Sequence, residues 1–204
     1  VQFVNTRLFC YPDALRAAGY YSVFFTGNDP DWDGQRAWLD RWYDEYHYYP
    51  EAEEDDRITL EHSARRIREI GRTGRPFLAT LVTASNHAPF RSRDPRLDIA
   101  GQDTARERIR NTVHFTDVAL ERFFDSLRRE DWYQKTLIVV YGDHGYNLGE
   151  RAGSPAGERS GYVETSWVPL VFSGQLGAMA PGRDPAPVSL LDVAPTIAEA
   201  AGYE

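Results

Sequence analysis

The sequence contains very little sulfur and has no long hydrophobic run. Its 204 residues include one cysteine, Cys10, and one methionine. A single cysteine excludes an intramolecular disulfide and any metal site built on several thiolates, so a metal ion bound here must use oxygen and imidazole ligands. The longest strongly apolar runs, 136–141 and 168–172, are far shorter than the roughly 20 residues that a helix needs to cross a bilayer. We therefore expect the chain as given to be soluble.

Positive charge is also scarce. Lysine and arginine number 23 against 31 aspartate and glutamate residues, which gives a net charge of -8 and an isoelectric point of about 5.2. Such a chain cannot neutralise a run of phosphates, so we expect no nucleic-acid partner. The acidic balance does not exclude an anionic substrate, because a bound divalent cation dominates the electrostatic field around its own site.

Short apolar runs alternate along the sequence with segments of helical periodicity. Strands are predicted at 21–26, 76–82, 136–141 and 168–172, and helices at 12–19, 61–70, 104–129 and 193–201. Residues 29–57 are rich in aromatic and acidic side chains without a clean period, which predicts an irregular surface excursion. Alternating helices and near-continuous apolar strands indicate one α/β domain with a mainly parallel sheet sandwiched by helices.

The strongest helix signal lies at 104–129. An apolar stripe at helical spacing is predicted to face the core. It comprises Ile109, Val113, Thr116, Leu120, Phe123, Phe124 and Leu127.

Polar loops follow three of the predicted strands, and ligands bind to parallel sheets at the carboxyl ends of the strands. The loops after Thr26, Val82 and Tyr141 are therefore expected to lie together. Asp143 and His144 lie in the third loop, flanked by glycines. A carboxylate and an imidazole at a strand end are suitable ligands for a divalent cation. The alternative is a plain turn with a capping aspartate and a solvent-facing histidine, and so short a motif does not decide between them.

His87 lies in the loop after the strand 76–82. Its imidazole is suited to donate a hydrogen bond to a substrate oxyanion or to serve as a further metal ligand. The alternative is a loop histidine that bonds only to backbone groups. Its position at a second strand end favours a functional role.

Trp32 and Arg36 lie in the loop after the strand 21–26. An arginine can bind a phosphate or sulfate through two hydrogen bonds, and a neighbouring aromatic ring can cover a glycerol or a sugar. The alternative is a local hydrophobic cluster of Trp32, Trp38 and Trp42 that stabilises the loop.

Several of these segments, in this order, resemble the sulfatase branch of the alkaline phosphatase superfamily. Residues 137–145 (LIVVYGDHG), followed by 148–150 (LGE), are similar to the C-terminal metal motif of that branch. Residues 85–90 (SNHAPF) resemble more narrowly a loop of lipoteichoic acid synthases and related phosphoglycerol transferases. The segments 111–120, 162–170 and 192–196 are similar to regions of the same enzymes, so the resemblance covers nearly the whole chain.

The resemblance implies a role for each candidate residue. Asp143 and His144 would bind the catalytic cation, typically manganese, magnesium or calcium, and His87 would bind the phosphate or sulfate of the substrate. Trp32 and Arg36 would correspond to a tryptophan and an arginine that contact the transferred group in the synthases, although the family spacing is tighter than the three intervening residues here.

The resemblance also implies that catalytic parts lie upstream. The family's nucleophile is a threonine in the synthases and a formylglycine in sulfatases, and it lies upstream together with an acidic metal ligand. We identify neither in this chain. Residues 1–204 are thus expected to form a single sulfatase-like domain, the C-terminal portion of a larger catalytic domain that is incomplete at its N-terminal side. Such a fragment should bind metal poorly and be inactive alone.

By the same resemblance, the parent protein is expected to transfer a phosphoglycerol-type group from a lipid or glycan phosphodiester. A sulfatase or phosphodiesterase that hydrolyses its ester is one alternative, and a catalytically inactive binding module is another. The expected partner is a small-molecule, lipid-linked or glycan substrate that carries phosphate or sulfate. The parent protein is expected in the periplasm or at the extracytoplasmic face of a bacterial membrane, where a membrane anchor would suit it.

Overall fold

The computed structural model describes residues 9–151, 153–154, 156–157, 161–174 and 181–202. Helices and strands alternate along this part of the chain. In order they are α1 (Tyr11–Ala17), β1 (Tyr21–Thr26), α2 (Arg36–Trp42), β2 (Glu45–Tyr48), α3 (Asp56–Gly71), β3 (Phe77–Val82), α4 (Ala105–Leu127), β4 (Ile138–Tyr141), β5 (Leu170–Ser173) and α5 (Val193–Ala200). No helix within the described ranges is long and apolar enough to cross a bilayer.

The strands form two separate sheets. β2, β1 and β3 lie side by side in that order, all parallel, and Thr26 at the end of β1 pairs with Tyr48 on one side and Val82 on the other. The carboxyl ends of these strands therefore lie at one edge of the sheet. The predicted α/β class with a mainly parallel sheet is confirmed. The strands predicted at 136–141 and 168–172 form a separate antiparallel pair, β4 and β5.

The core lies between the parallel sheet and helices α3 and α4. Val23 and Phe25 of β1 are completely buried there, because alternate residues of a strand point to the same face. α3 and α4 contribute Leu60, Ala64, Ile67, Ile70, Ala119, Phe123 and Leu127. α1 packs against β1 and α5. The edge that carries the loops after β1 and β3 is thereby attached to a well-packed support, whereas the loop after β4, expected at the same edge, leaves a separate sheet.

The irregular excursion predicted for 29–57 is wrong, because this segment contains α2 and β2. All four residues of β2 are partly exposed, as expected for a strand at the edge of a sheet, so no apolar alternation marks it in the sequence. Its contacts are aromatic and ionic instead. His47 stacks on Phe25 with ring centroids 5.3 Å apart, and Glu45 accepts a 2.8 Å hydrogen bond from Arg66 of α3.

The buried face of α4 is rotated from the predicted stripe. Phe115, Ala119, Phe123 and Leu127 are buried, whereas Val113 is 51% exposed. Polar Asn111 and Thr112 can lie on the buried face because their side chains form hydrogen bonds. The Asn111 carboxamide oxygen accepts the backbone N–H groups of Ile99 and Ala100, at 2.9 and 2.8 Å.

Two valines of opposite burial test this packing. Val23→Ala should lower the free energy of unfolding by roughly 2–3 kcal/mol, because it removes buried methyl groups and leaves a cavity. Val113→Ala should change it by less than about 0.5 kcal/mol, since alanine is also the better helix former. Urea denaturation of both variants measures the difference, and equal destabilisation would contradict the observed orientation of α4.

Candidate functional site

The turn after β4 carries Asp143 and His144. The Asp143 side chain is 85% exposed and that of His144 45% exposed. His144 Nδ1 lies 2.9 Å from the Gly145 carbonyl oxygen, which can only accept, so Nδ1 is the donor. In the neutral ring the lone pair is then on Nε2, which lies 3.7 Å from Asp143 Oδ2. Such a backbone contact is how metal-binding histidines are commonly oriented, and the two atoms are close enough to share one cation.

Two glycines hold this turn against the segment 163–169 through backbone atoms alone. Gly145 N–H donates to the Thr165 carbonyl at 2.9 Å, and Gly142 N–H donates to that of Pro169 at 3.2 Å. A Cβ atom on residue 145 would lie 2.1 Å from the Glu164 carbonyl oxygen. Glycine is therefore required at 145 because backbone approaches backbone too closely for any side chain.

Gly145→Ala should displace the turn that carries Asp143 and His144 while leaving the distant core intact. We expect the affinity of the full-length protein for manganese to fall at least about tenfold, as happens when the support of a metal ligand is lost. Gly161→Ala is the matched control, because a Cβ atom there meets nothing within 4 Å. Calorimetric titration with Mn²⁺ measures the effect, and equal affinities in the two variants would contradict the close approach at 145.

Asp143 and His144 provide only two donors. Within the described ranges no group of three or more histidine, cysteine, aspartate or glutamate side chains could hold a metal ion. Divalent cations take four or more ligands, and magnesium, manganese and calcium prefer oxygen. A carboxylate beside an oriented imidazole therefore fits such a cation as part of a coordination sphere whose other donors come from elsewhere.

His87 lies on the exposed loop after β3. Its backbone N–H donates to the Ala84 carbonyl at 3.0 Å, and its Nδ1 donates to the Ala88 carbonyl at 2.8 Å. A contact between two aromatic rings joins this loop to the turn that carries Asp143 and His144. Phe90, which is buried, meets Tyr146 edge to face with ring centroids 4.9 Å apart. The structure thus connects the loop of His87 to the residue that follows Gly145.

Arg36 and Trp32 lie beyond the carboxyl end of β1. The guanidinium of Arg36 is held by Asp31, with Nη2 2.8 Å from Oδ2 and Nε 2.5 Å from Oδ1, and its Nη1 donates to the Tyr46 hydroxyl at 2.6 Å. The hydrogen bond to Asp31 is the main cause of a raised pKa of Arg36. The same contact lowers the pKa of Asp31. The bidentate edge predicted to bind a phosphate therefore binds a carboxylate of this chain.

The predicted cluster of three tryptophans is found only in part. Trp38 and Trp42 stack with ring centroids 4.4 Å apart, whereas Trp32 is 70% exposed. An aromatic ring that contributes little to the core is better suited to contact a ligand than one buried in it.

The sequence did not reveal the residues that hold the candidate side chains in place. Asp31 offered a weak signal, as an acidic residue near Arg36 in the same predicted loop. Tyr46 offered none, because β2 was not predicted. Phe90 and Tyr146 are aromatic residues at the ends of polar motifs, and nothing in a single sequence indicates that they touch.

The family model described as Sulfatase matches residues 6–203. Together with the α/β fold, this match shows that the chain belongs to the sulfatase family. It is also similar to lipoteichoic acid synthases, and sulfatases are generally metal-dependent.

Three relatives illustrate the relationship. Lipoteichoic acid synthase 2 of Bacillus subtilis is 28% identical over 166 residues, which cover 72% of this chain and 25% of that protein. A sulfatase of Formosa agariphila is 35% identical over 92 residues, 45% of this chain and 18% of that protein. The solved structure of a lipoteichoic acid synthase from Listeria monocytogenes superposes with a TM-score of 0.77 at 17% identity, over 100% of this chain and 55% of that one. The chain thus spans about a quarter of the first relative and about half of the solved structure.

Proposed function

We propose that the protein containing this chain is a metal-dependent transferase that moves a phosphoglycerol-type group from a lipid or glycan phosphodiester. The observation that carries the proposal is the Phe90–Tyr146 contact, which joins the loop of His87 to the turn of Asp143 and His144. An imidazole on a loop that contacts a turn with two candidate metal ligands suits a phosphodiester, whose charged oxygens need both a cation and a hydrogen-bond donor. The similarity to lipoteichoic acid synthase 2 supports the same reading.

Asp143 and His144 would hold the divalent cation, manganese, magnesium or calcium, through a carboxylate oxygen and Nε2. When bound, such a cation neutralises phosphate charge and favours ionisation of a hydroxyl nucleophile. His87, whose Nδ1 donates to the Ala88 carbonyl, would bind a non-bridging oxygen of the substrate as the doubly protonated imidazolium, with Nε2 as the second donor. That hydrogen bond would strengthen as charge develops on the oxygen in the transition state.

Trp32 and Arg36 would contact the rest of the transferred group. The exposed ring of Trp32 would cover a glycerol or sugar. Asp31 takes one N–H each from Nε and Nη2 of Arg36, and Tyr46 takes one from Nη1, so we assign substrate contact to the second N–H groups of Nη1 and Nη2. The ion pair with Asp31 would fix the direction in which these groups point.

A sulfatase or phosphodiesterase is the second candidate, favoured by the similarity to the sulfatase of Formosa agariphila. The same residues would bind a sulfate ester, since sulfate and phosphate have the same tetrahedral arrangement of oxygens. In either case we place the protein on the extracytoplasmic side of a bacterial membrane, by its resemblance to the synthases.

One assay separates these functions. The full-length protein with Mn²⁺ is given a fluorescent lipid with a glycerol phosphate headgroup together with a hydroxyl-bearing glycolipid acceptor, or, in a separate reaction, an aryl sulfate. Transfer predicts release of diacylglycerol together with a phosphoglycerol-bearing acceptor and no free glycerol phosphate. Free glycerol phosphate would indicate a phosphodiesterase, free sulfate would indicate a sulfatase, and bound metal without any turnover would indicate an inactive module. Each of these last three results would overturn the proposed transfer.

A further inference from the structure

Asp56 is a buried carboxylate that connects three parts of the molecule. It is the first residue of α3 and is 1% exposed. Its Oδ1 accepts the backbone N–H groups of Ala84 and Ser85, at 2.7 and 3.2 Å, and its Oδ2 accepts the hydroxyl of Thr116 on α4 at 2.7 Å. One side chain thus fixes the start of α3, the middle of α4 and the loop that leaves β3.

A second set of hydrogen bonds joins the same segments, and in its first bond the backbone of Asp56 is the donor and the loop is the acceptor. The backbone N–H of Asp56 donates to Ser85 Oγ at 3.0 Å, and that hydroxyl donates to the Glu54 carbonyl at 2.6 Å. The loop is therefore clamped to α3 by contacts from both its backbone and its side chains. Ala84 and Ser85 are buried, whereas His87, two residues further on, is exposed.

The clamp acts on the turn that presents His87. The Ala84 N–H is held by Asp56, and the Ala84 carbonyl accepts the N–H of His87 at 3.0 Å. Both polar groups of Ala84 are thereby used, one to anchor the turn and one to close it. A displacement of Ala84 would move the histidine with it.

Asp56 carries out this task without a cationic partner. No ion pair of its carboxylate is found within the described ranges, and burial raises its pKa against the opposing effect of its hydrogen bonds. A buried carboxylate without an opposite charge is costly. The N-terminal end of a 16-residue helix offsets part of that cost. Several donors converging on one costly group favour a role in holding a defined geometry.

We infer that Asp56 is a positioning residue for His87, and that it sets the place of the imidazole relative to the anionic group of the substrate. The inference rests on the proposed function, since it gives His87 a substrate to meet. Misplacing a group that contacts the reacting centre by about 1 Å can cost about a hundredfold in rate. Loss of the Asp56 carboxylate should therefore reduce turnover through His87, without removing any substrate contact of its own.

A double-mutant cycle in the full-length enzyme tests this inference. Asp56→Ala should lower kcat/KM by roughly tenfold to a hundredfold, and His87→Ala should lower it by roughly a hundredfold to a thousandfold. The double variant should lose no more than a few-fold beyond His87→Ala alone, because the misplaced group is already absent. Asp56→Asn keeps an oxygen for Ala84 and Ser85 and should recover most of the activity. Losses that multiply in the double variant would overturn the inference.

Hydrogen exchange provides a readout that does not depend on activity. In Asp56→Ala the amides of a peptide spanning 83–90 should exchange faster than in the wild type. Asp44→Ala is the matched control: its carboxylate accepts two hydrogen bonds from Ser22, at 2.7 and 2.9 Å, and its loss should leave that peptide unchanged. Unchanged exchange in Asp56→Ala would refute the clamp. If Asp56→Ala fails to fold, Ser85→Ala removes part of the same clamp and replaces it in the cycle and in the exchange measurement.

The two levels of the proposal fail differently. Hydrolysis products in place of a transferred phosphoglycerol would refute the proposed function, and full activity of His87→Ala would remove His87 from the site and with it the role of Asp56. Impaired His87→Ala with multiplicative losses in the cycle would refute the role of Asp56 alone.

Discussion

Asp143→Ala and His144→Ala, made separately in the full-length protein, are each expected to lower metal-dependent turnover by at least about a thousandfold. Each change removes one protein ligand of the cation, and with it the charge neutralisation that phosphoryl transfer requires. Both side chains are substantially exposed, so neither change should disturb the core. The bound metal, measured by mass spectrometry after dialysis, should fall together with the initial rate.

Asp131→Ala is the control for these variants. Asp131 is also an exposed aspartate, but it lies between α4 and β4, away from the turn of Asp143 and His144 in sequence. It should retain the metal content and the rate of the wild type. If Asp143→Ala or His144→Ala keeps both its metal content and its rate, the turn does not bind metal. That is the plain turn that the sequence alone leaves open as an alternative.

His87→Ala should lower turnover by roughly a hundredfold to a thousandfold while leaving metal content unchanged. The reason is the loss of one directed hydrogen-bond donor to the oxygen on which charge develops, which is typically worth that much. Initial rates and metal content measured on the same preparation separate this effect from that of Asp143→Ala and His144→Ala.

His62→Ala serves as the control for His87, because His62 is a histidine of α3 that pairs with Glu51 at 3.3 Å. The His62→Ala variant should keep the turnover of the wild type. Two results would contradict the assignment of His87 as a substrate-binding residue. Loss of metal in His87→Ala would make His87 a metal ligand. Unchanged turnover would remove His87 from the site.

The sequence predicts those parts of the fold in which apolar residues follow a clear period. β1 and β3 are found within one residue of their predicted bounds, and α4 within two, because buried residues recur regularly in them. β2 was missed because its partners are an aromatic ring and an arginine, which leave no apolar alternation. The rotated face of α4 was missed because Asn111 and Thr112 are buried with their hydrogen bonds satisfied, and a single sequence does not reveal such partners.

The sequence proposes the candidate ligands of the site but not the residues that support them. Asp143, His144 and His87 could be proposed because they lie next to strand ends with turn-forming neighbours. Asp56 could not, because it lies in an acidic segment where one more aspartate carries no signal. The engagement of Arg36 by Asp31 shows the same limit, since residue type indicates what a side chain can bind and only the structure shows what it binds.

The location of the cation tests the proposed site most directly. Crystals of the full-length protein grown with Mn²⁺ should give an anomalous difference peak about 2.0–2.6 Å from a carboxylate oxygen of Asp143 and from Nε2 of His144. His144 Nδ1 should still donate to the Gly145 carbonyl in that structure. A manganese peak that touches neither residue, or an imidazole that binds through Nδ1, would contradict the assignment of this turn as the metal-binding half of the site.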